Sequence, residues 1–336
     1  MLHKVCRPNI TTHDLKRLLI ATLATTASMS ATQTTRTPSK IVYARETPEG
    51  VGATVRRSIG SMSLRNLSPF LMLDHAAIQE GSGFPDHPHR GQSTVTYVLD
   101  GMMQHEDFTG SAGKLLPGDV QWMTAGRGIV HSEMPLFDED PAKRVPAEAL
   151  QLWIDLPADK KMIEPSYQEK KAADIDSVQP VPGVDITVIS GESHGVTGFV
   201  RPVGGCWFMD VKLTQPGASV FQPLPEGWTA FAYVITGKLQ VGEEATPVDK
   251  HNTVVLSAES GQNGVLLTRP DGTDEDTRLV LIAGEPLPEN TTIQHGPFVV
   301  NSRQEVIEAI MDYQMGRNGF ERAPNWKSQI GSAMRH

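Results

Sequence analysis

From Ile41 onward the chain is written in short runs of alternating apolar and polar residues, broken by Gly, Pro and Asp. In "STVTYVLDG" (93–101) the residues Val95, Tyr97 and Leu99 fall on one face of a strand, and Thr94, Thr96 and Val98 on the other. "ALQLWIDLP" (149–157) repeats the period, with Leu150, Leu152, Ile154 and Leu156 sharing a face. Many short strands with turn residues between them predict an all-β sandwich or barrel. One stretch departs from period two: "NSRQEVIEAIMDYQMG" (301–316) reads as a helix. A capping box of Ser302 with Glu305 opens it and Gly316 stops it, and Val306, Ile310 and Tyr313 are placed to pack against a barrel. The charged, Pro-containing span 157–195 is expected to connect or extend two halves.

Those halves are related. "TYVLDG" (96–101) resembles "AYVITG" (232–237) at an offset of 136, and the same offset carries Gly91 onto Gly227. It also carries His87 and His89 onto Pro223 and Pro225 in "QPLPEG". Further on, "GIVHSEMP" (128–135) has a partial echo in "GVLLTRP" (264–270), where Leu and Thr stand in the places of His131 and Glu133. Two similarities in the same order point to a duplicated β-domain whose second copy has lost four polar residues.

Size agrees with a duplication, because 336 residues exceed one typical domain. A net charge of −9 argues against a general nucleic-acid or membrane binder, since both of those surfaces are anionic. The charge is uneven: residues 1–40 hold six Lys and Arg against Asp14 alone, a sum of +5, which leaves −14 for the remainder. This leader is Ser/Thr-rich and acid-poor, and Leu15, Leu18, Leu19 and Leu23 share a helical face. Such traits fit either a mitochondrial transit peptide or a disordered basic tail. No stretch approaches the length of a membrane-spanning helix. Two cysteines, Cys6 and Cys206, are too few for a disulfide framework and read as plain thiols of a reducing compartment.

The candidate chemistry lies in "DHPHRG" (86–91). Residues i and i+2 of a strand share a face, so His87 and His89 project side by side, with Pro88 restricting the segment to the start or edge of a strand. His131 and Glu133 in "GRGIVHSEMP" form a second dyad of the same spacing. If both strands face one lumen, three imidazoles and a carboxylate converge. That donor set suits Fe, Mn, Ni, Cu or Zn rather than Ca or Mg. In a six-coordinate shell it leaves two positions open. His105 reads as a supporting or surface residue, and His251 and His295 as ordinary histidines.

The run from "FPDHPHRGQSTVTYVLDG" through "GRGIVHSEMP" closely resembles the pirin family of bicupins. So do "GVGATVRRSIG", "LIAGEPLPENTTIQHGPF" and "NGFERAPNWKSQIG", and the likeness runs from about Ile41 to Gly331. The resemblance implies two cupin (jelly-roll) barrels with a C-terminal helix over 303–315, and a metal, usually Fe(2+), held in the first by His87, His89, His131 and Glu133. The expected layout is a leader over 1–40, a metal-binding cupin over 41–156, a connecting segment over 157–195 and a metal-free cupin over 196–331. Many pirins read Phe–Glu where this chain has Gln92 and Ser93. By parity Ser93 is expected to line the cavity, in place of the usual carboxylate.

Two functions follow from the resemblance. One is an iron-dependent dioxygenase of the quercetin 2,3-dioxygenase type, opening the ring of a flavonol with Glu133 as ligand and base, and with Val95, Tyr97 and Leu99 as apolar walls. The other is a redox-sensing co-regulator, nuclear or cytoplasmic, that binds a transcription factor without turnover and without touching nucleic acid itself. A β-barrel protein with a structural metal is the plain alternative.

Overall fold

A computed structural model describes residues 32–243, 246–288 and 292–332. Their architecture is two β-barrels of one design. The first is built from a seven-stranded and a four-stranded sheet. In chain order its strands follow β1 (Pro38–Tyr43) as β2 (Arg45–Glu49), β3 (Ala53–Arg57), β4 (Phe70–Ile78), β5 (Phe84–His89), β6 (Gln92–Asp100), β7 (Met103–Asp107), β8 (Ala112–Leu115), β9 (Val120–Thr124), β10 (Ile129–Pro135), β11 (Ala147–Asp155) and β12 (Ser166–Lys170). The large sheet runs β12-β9-β6-β11-β4-β3-β2, and the small one β5-β10-β7-β8.

The second barrel repeats this plan. Its small sheet orders Ser219–Pro223, Gly264–Thr268, Lys238–Val241 and Val248–Asp249 as the first orders β5, β10, β7 and β8. The strand Thr229–Thr236 lies between Asn252–Leu256 and Thr277–Gly284, as β6 lies between β9 and β11. The 136-residue offset is thus a structural repeat. Where the first barrel has histidines, the second packs Val220, Leu224, Val265 and Leu267 into an aliphatic core.

The two large sheets pack face to face. Val95, Tyr97, Leu99, Leu150, Leu152 and Ile154 from the first barrel meet Phe208, Phe231, Tyr233, Val280 and Ile282 from the second in one buried cluster. Phe70 and Phe231 cross edge to face with ring centres 5.1 Å apart. Polar ties pin the interface. The Tyr97 hydroxyl donates to Asp210 at 2.7 Å, Arg278 holds the same carboxylate at 2.7 Å, and the Tyr233 hydroxyl lies 2.9 Å from Nδ1 of His75.

This packing corrects one expectation: Val95, Tyr97 and Leu99 are walls of the interface between barrels, not of a substrate cavity. A strand covered on both sides has two buried faces, and alternation alone does not say which one looks into the lumen. The lumen here is the more polar side, lined by Thr94 and Thr96.

The domain edges also shift. The leader expected over 1–40 stops short of Arg36, whose buried guanidinium donates to the carbonyls of Trp228 and Pro225, both at 2.6 Å. β1 then pairs with Asn252–Leu256, so residues 38–43 complete the second barrel's sheet. Residues 1–31, with Cys6 and the leucine stripe, lie outside the described residues. The segment 157–195 supplies strands to both halves, β12 to the first and Val184–Ser190 to the second. Cys206 is a buried free thiol whose ionisation burial pushes up, as an inert core residue requires. Among the described residues no helix is long and apolar enough to cross a membrane.

The helix forms where expected, Arg303–Met315, with Ser302 Oγ accepting from the Glu305 amide at 3.2 Å and Gly316 left-handed at φ 63°. Val306, Ile310 and Tyr313 pack with Phe298, Phe320, Ile129 and Val130 on the first barrel. The chain's C-terminal segment therefore returns to the half that carries the histidines.

Tyr97→Phe removes one buried charge-assisted hydrogen bond and leaves Asp210 with Arg278, so we expect a loss of about 1–2 kcal/mol in unfolding free energy, read by urea denaturation. Because Tyr97 faces away from the histidines, the metal content of the variant, measured by elemental analysis, should equal that of the wild type.

Candidate metal centre

β5 and β10 pair antiparallel with His87 directly opposite His131, and Ile129 opposite His89. β5 is an edge strand, as Pro88 requires, since its missing N–H then faces no partner. Between His131 and Glu133 the register slips, and Glu133 comes to face Phe84. The extra residue lies on β5, between Phe84 and His87, because β10 keeps an unbroken ladder with β7 from His131 to Pro135, so His131 and Glu133 stay on one face. Gly91, at φ 77°, makes the turn from β5 into β6; a Cβ there would stand 1.8 Å from the carbonyl oxygen of Val299.

The three imidazoles converge. His131 Nε2 lies 3.0 Å from His87 Nε2, and the ring centre of His89 is 4.9 Å from that of His87 and 5.0 Å from that of His131. One nitrogen of each lies within 4.8 Å of the others. Two nitrogens bound at right angles to one ion at about 2.1 Å each would stand about 3.0 Å apart, so the spacing suits a shared transition metal. The His87 Nδ1–H donates to the Pro85 carbonyl at 2.8 Å, which leaves Nε2 as the free donor atom. The His131 Nδ1 is buried with no hydrogen-bond partner among the described residues, and Asp107 lies opposite His131 on β7.

Electrostatics fit the same assignment. Burial, reinforced by the neighbouring His131, depresses His87 to about 4; burial, with His105 nearby, depresses His131 to about 3; His89 is also held well below its usual value by burial. The rings are therefore neutral at pH 7, the form in which imidazole ligates a metal. His87, His89 and His131 form a site able to hold a metal ion.

Glu133 sits beside this cluster with Oε2 3.9 Å from His131 Nε2. Both of its oxygens are engaged: Thr96 Oγ1 donates to Oε1 at 2.7 Å, and Gln151 Nε2 to Oε2 at 2.8 Å. His105 is turned to Glu169, 3.1 Å away, outside the cluster. His295 is exposed, and His251 lies at the domain interface with its ring centre 5.7 Å from that of His75. Ser93 does not line the cavity. It faces Thr124, 3.2 Å away, and shares its side of the sheet with Ile154, because the turn at Arg90–Gly91 resets the parity counted from His89.

Above the histidines opens a cavity of about 620 Å³. Its walls are Met72, Ala76, Phe84, Met103, Ala149 and Trp153. The Trp153 ring stands perpendicular to His89 at 5.0 Å between centres. Gln294, Gly296 and Pro297 close one side. They belong to the hairpin Ile293–His295/Phe298–Val300, which is tied down through Arg90: the Arg90 amide donates to Pro297 at 3.1 Å and the Val299 amide to Arg90 at 2.9 Å. The Arg90 guanidinium reaches the Asp312 carboxylate and the carbonyls of Arg127 and Asn318, and lies 4.8 Å from the centre of the Phe320 ring.

Gln151 and Trp153 are functional-face residues that sequence reasoning missed. Their signal was available, since they occupy the positions between the leucines in "ALQLWIDLP". Nothing local in the sequence places Gln294 or Pro297 near His89.

Two barrels of one design, one with three inward histidines and the other with an aliphatic interior, define a bicupin with one metal-type site among the described residues. The family models agree, one named Pirin matching residues 52–154 and one for the pirin C-terminal cupin domain matching 208–319. Human pirin is 48% identical over 297 residues, covering 87% of this chain and 97% of that one. The chain belongs to the pirin family. A solved quercetin 2,3-dioxygenase from Acinetobacter baumannii is 31% identical, covers 84% of this chain and 98% of its own, and superposes with a TM-score of 0.74. A bacterial pirin from Escherichia coli, solved in complex with nickel(II), is 18% identical with a TM-score of 0.57 and shares the fold.

An unfolded histidine takes up its proton near pH 6.5, whereas folded His87 waits until about 4. In that window the unfolded state binds more protons, so metal-free protein should lose stability as pH falls from about 6.5 towards 4. We expect the urea midpoint to drop across this window, and to drop less in His131→Asn. A flat midpoint would contradict the burial of neutral imidazoles.

Proposed function

We propose that the protein is a metal-dependent oxygenase of the quercetinase type, acting on a flavonol-like aromatic with iron(II) held by His87, His89, His131 and Glu133. The observation that supports this most directly is the convergence of three neutral imidazoles at the foot of a cavity walled by Trp153, Phe84, Met72 and Met103. A divalent ion bound by three neutral imidazoles and one carboxylate keeps about one unit of positive charge, which favours an ionised hydroxyl on the substrate and supplies the redox chemistry for dioxygen.

The polypeptide does the rest. Trp153 and Phe84 offer flat apolar surface to an aromatic guest, and the size of the cavity lies in the ordinary range for small-molecule sites. Glu133 is ligand and base in this reading. Thr96 on Oε1 and Gln151 on Oε2 keep its carboxylate oriented while the hydroxyl proton of the arriving substrate passes to Oε2. Gln294 and Pro297 cover the open side and limit water.

The test is oxygen uptake by iron(II)-loaded protein over a flavonol panel. Wild type should consume oxygen with flavonol. His87→Ala should lose both bound iron and uptake, and Trp153→Ala should keep its iron and raise the flavonol KM by about tenfold as apolar contact is removed. Stoichiometric iron without oxygen consumption on any flavonol would overturn the assignment.

A further inference from the structure

Gln92 is fully buried, and its amide nitrogen lies 2.8 Å from Nδ1 of His89. The same nitrogen reaches the Pro297 carbonyl at 3.3 Å. Its amide oxygen Oε1 has no hydrogen-bond partner among the described residues.

A neutral imidazole carries one N–H. While Gln92 donates to Nδ1, the proton of His89 must sit on Nε2, the nitrogen left to face His87 and His131. An ion bound at Nε2 requires that proton to move to Nδ1, with no change in net charge, and the new Nδ1–H then needs an acceptor. Rotating the Gln92 amide by half a turn brings Oε1 to the place now held by the nitrogen, within hydrogen-bonding distance of Nδ1. The rotation gives up the bond to the Pro297 carbonyl, which keeps the Arg90 amide at 3.1 Å, and exchanges an unpartnered oxygen for an unpartnered NH2; the bond between Nε2 and the ion has to outweigh that cost. His87 already shows the arrangement in finished form, its Nδ1–H held by the Pro85 carbonyl at 2.8 Å.

We propose that Gln92 is a positioning residue for metal binding: its amide oxygen accepts the Nδ1–H of the metal-bound His89 and fixes the tautomer that offers Nε2 to the ion. Metal ligands held in this way bind more tightly, because the acceptor on Nδ1–H orients the ring and makes Nε2 more basic towards the ion. A phenylalanine, common at this position in the family pattern, has no atom able to do this.

The test uses zinc as a diamagnetic probe on the full chain, with affinity measured by chelator competition and the His89 tautomer by nitrogen-15 NMR of the imidazole rings. In the wild type, zinc should move the His89 proton from Nε2 to Nδ1. Gln92→Leu should weaken zinc binding by about tenfold or more, while metal-free melting stays close to wild type. Gln92→Glu, which always presents an oxygen, should restore tight binding and hold the proton on Nδ1 even without metal. If Gln92→Leu does not fold, Gln92→Glu and the wild-type spectra decide. Equal zinc affinity in Gln92→Leu and wild type, or a zinc-loaded His89 still protonated on Nε2, would overturn the proposal. A wild type that binds no zinc would overturn the metal centre along with it.

Discussion

Three imidazoles that converge inside a barrel, one nitrogen of each within 4.8 Å of the others, must all stay uncharged. That constraint organises the rest of the first domain. Protonating one would place a cation in low dielectric beside two further rings, a cost no nearby group offsets fully. The strands therefore have to present neutral rings to one another, and local structure does so by small devices. Pro88 keeps β5 at the sheet edge, the unbroken β10–β7 ladder holds Glu133 on the same face as His131, where it meets Thr96 and Gln151, and the Pro85 carbonyl fixes the His87 ring. Arg90, next in sequence to His89, anchors the C-terminal helix and hairpin over the dyad.

The second barrel explains how one copy of a duplicated fold can hold polar machinery without unfolding. The histidines, threonines and glutamines of the first lumen contribute little hydrophobic stabilisation, and its apolar part is the small cluster of Val55, Ala76, Ile78, Val98, Met103 and Leu115. The first barrel recovers it on the opposite face of its large sheet, where Val95, Leu99, Leu152 and Ile154 are buried against Phe208, Phe231 and Ile282. The second barrel keeps an aliphatic interior and serves as the packing partner. Loss of ligands at Pro223 and Pro225 is then no loss of fold: a valine–leucine lumen is the more stable filling, and the ligand-bearing lumen is the exception that needs support.

Much of this was legible in the sequence, because local rules set it. The i, i+2 spacing of two dyads, the 136-residue repeat and the capped helix depend only on backbone periodicity and end chemistry. What failed to be legible depends on tertiary choice. In β6 the apolar face looked like the inside of a barrel, yet it is the outside, covered by a second sheet, and the threonine face is the inside. Ser93 was misplaced because parity does not carry across a left-handed glycine. The leader's charge said nothing of Arg36, whose burial is set by two carbonyls some 190 residues away, at Pro225 and Trp228. Gln294 and Pro297 reach the site only because the C-terminal segment crosses back, a contact with no local signature.

Ligand chemistry and substrate choice are separable in this architecture. A cluster of three imidazoles accepts several divalent metals, and the identity of the ion is decided largely by availability and geometry. Those imidazoles lie on two adjacent strands, β5 and β10, fixed by one ladder. The walls come from elsewhere: Met72 and Ala76 on β4, Ala149 and Trp153 on β11, and Gln294 and Pro297 on the C-terminal hairpin. None of these side chains has to change for the imidazoles to converge, and none of the imidazoles has to move for a wall to be recut. A chain built this way can change what it accepts while keeping how it binds its ion. The departure at Gln92 is of a third kind, because it leaves both ligands and walls in place and acts on the orientation of one ring. Its contact with His89 therefore touches the metal's hold directly, while the shape of the cavity above stays as it is.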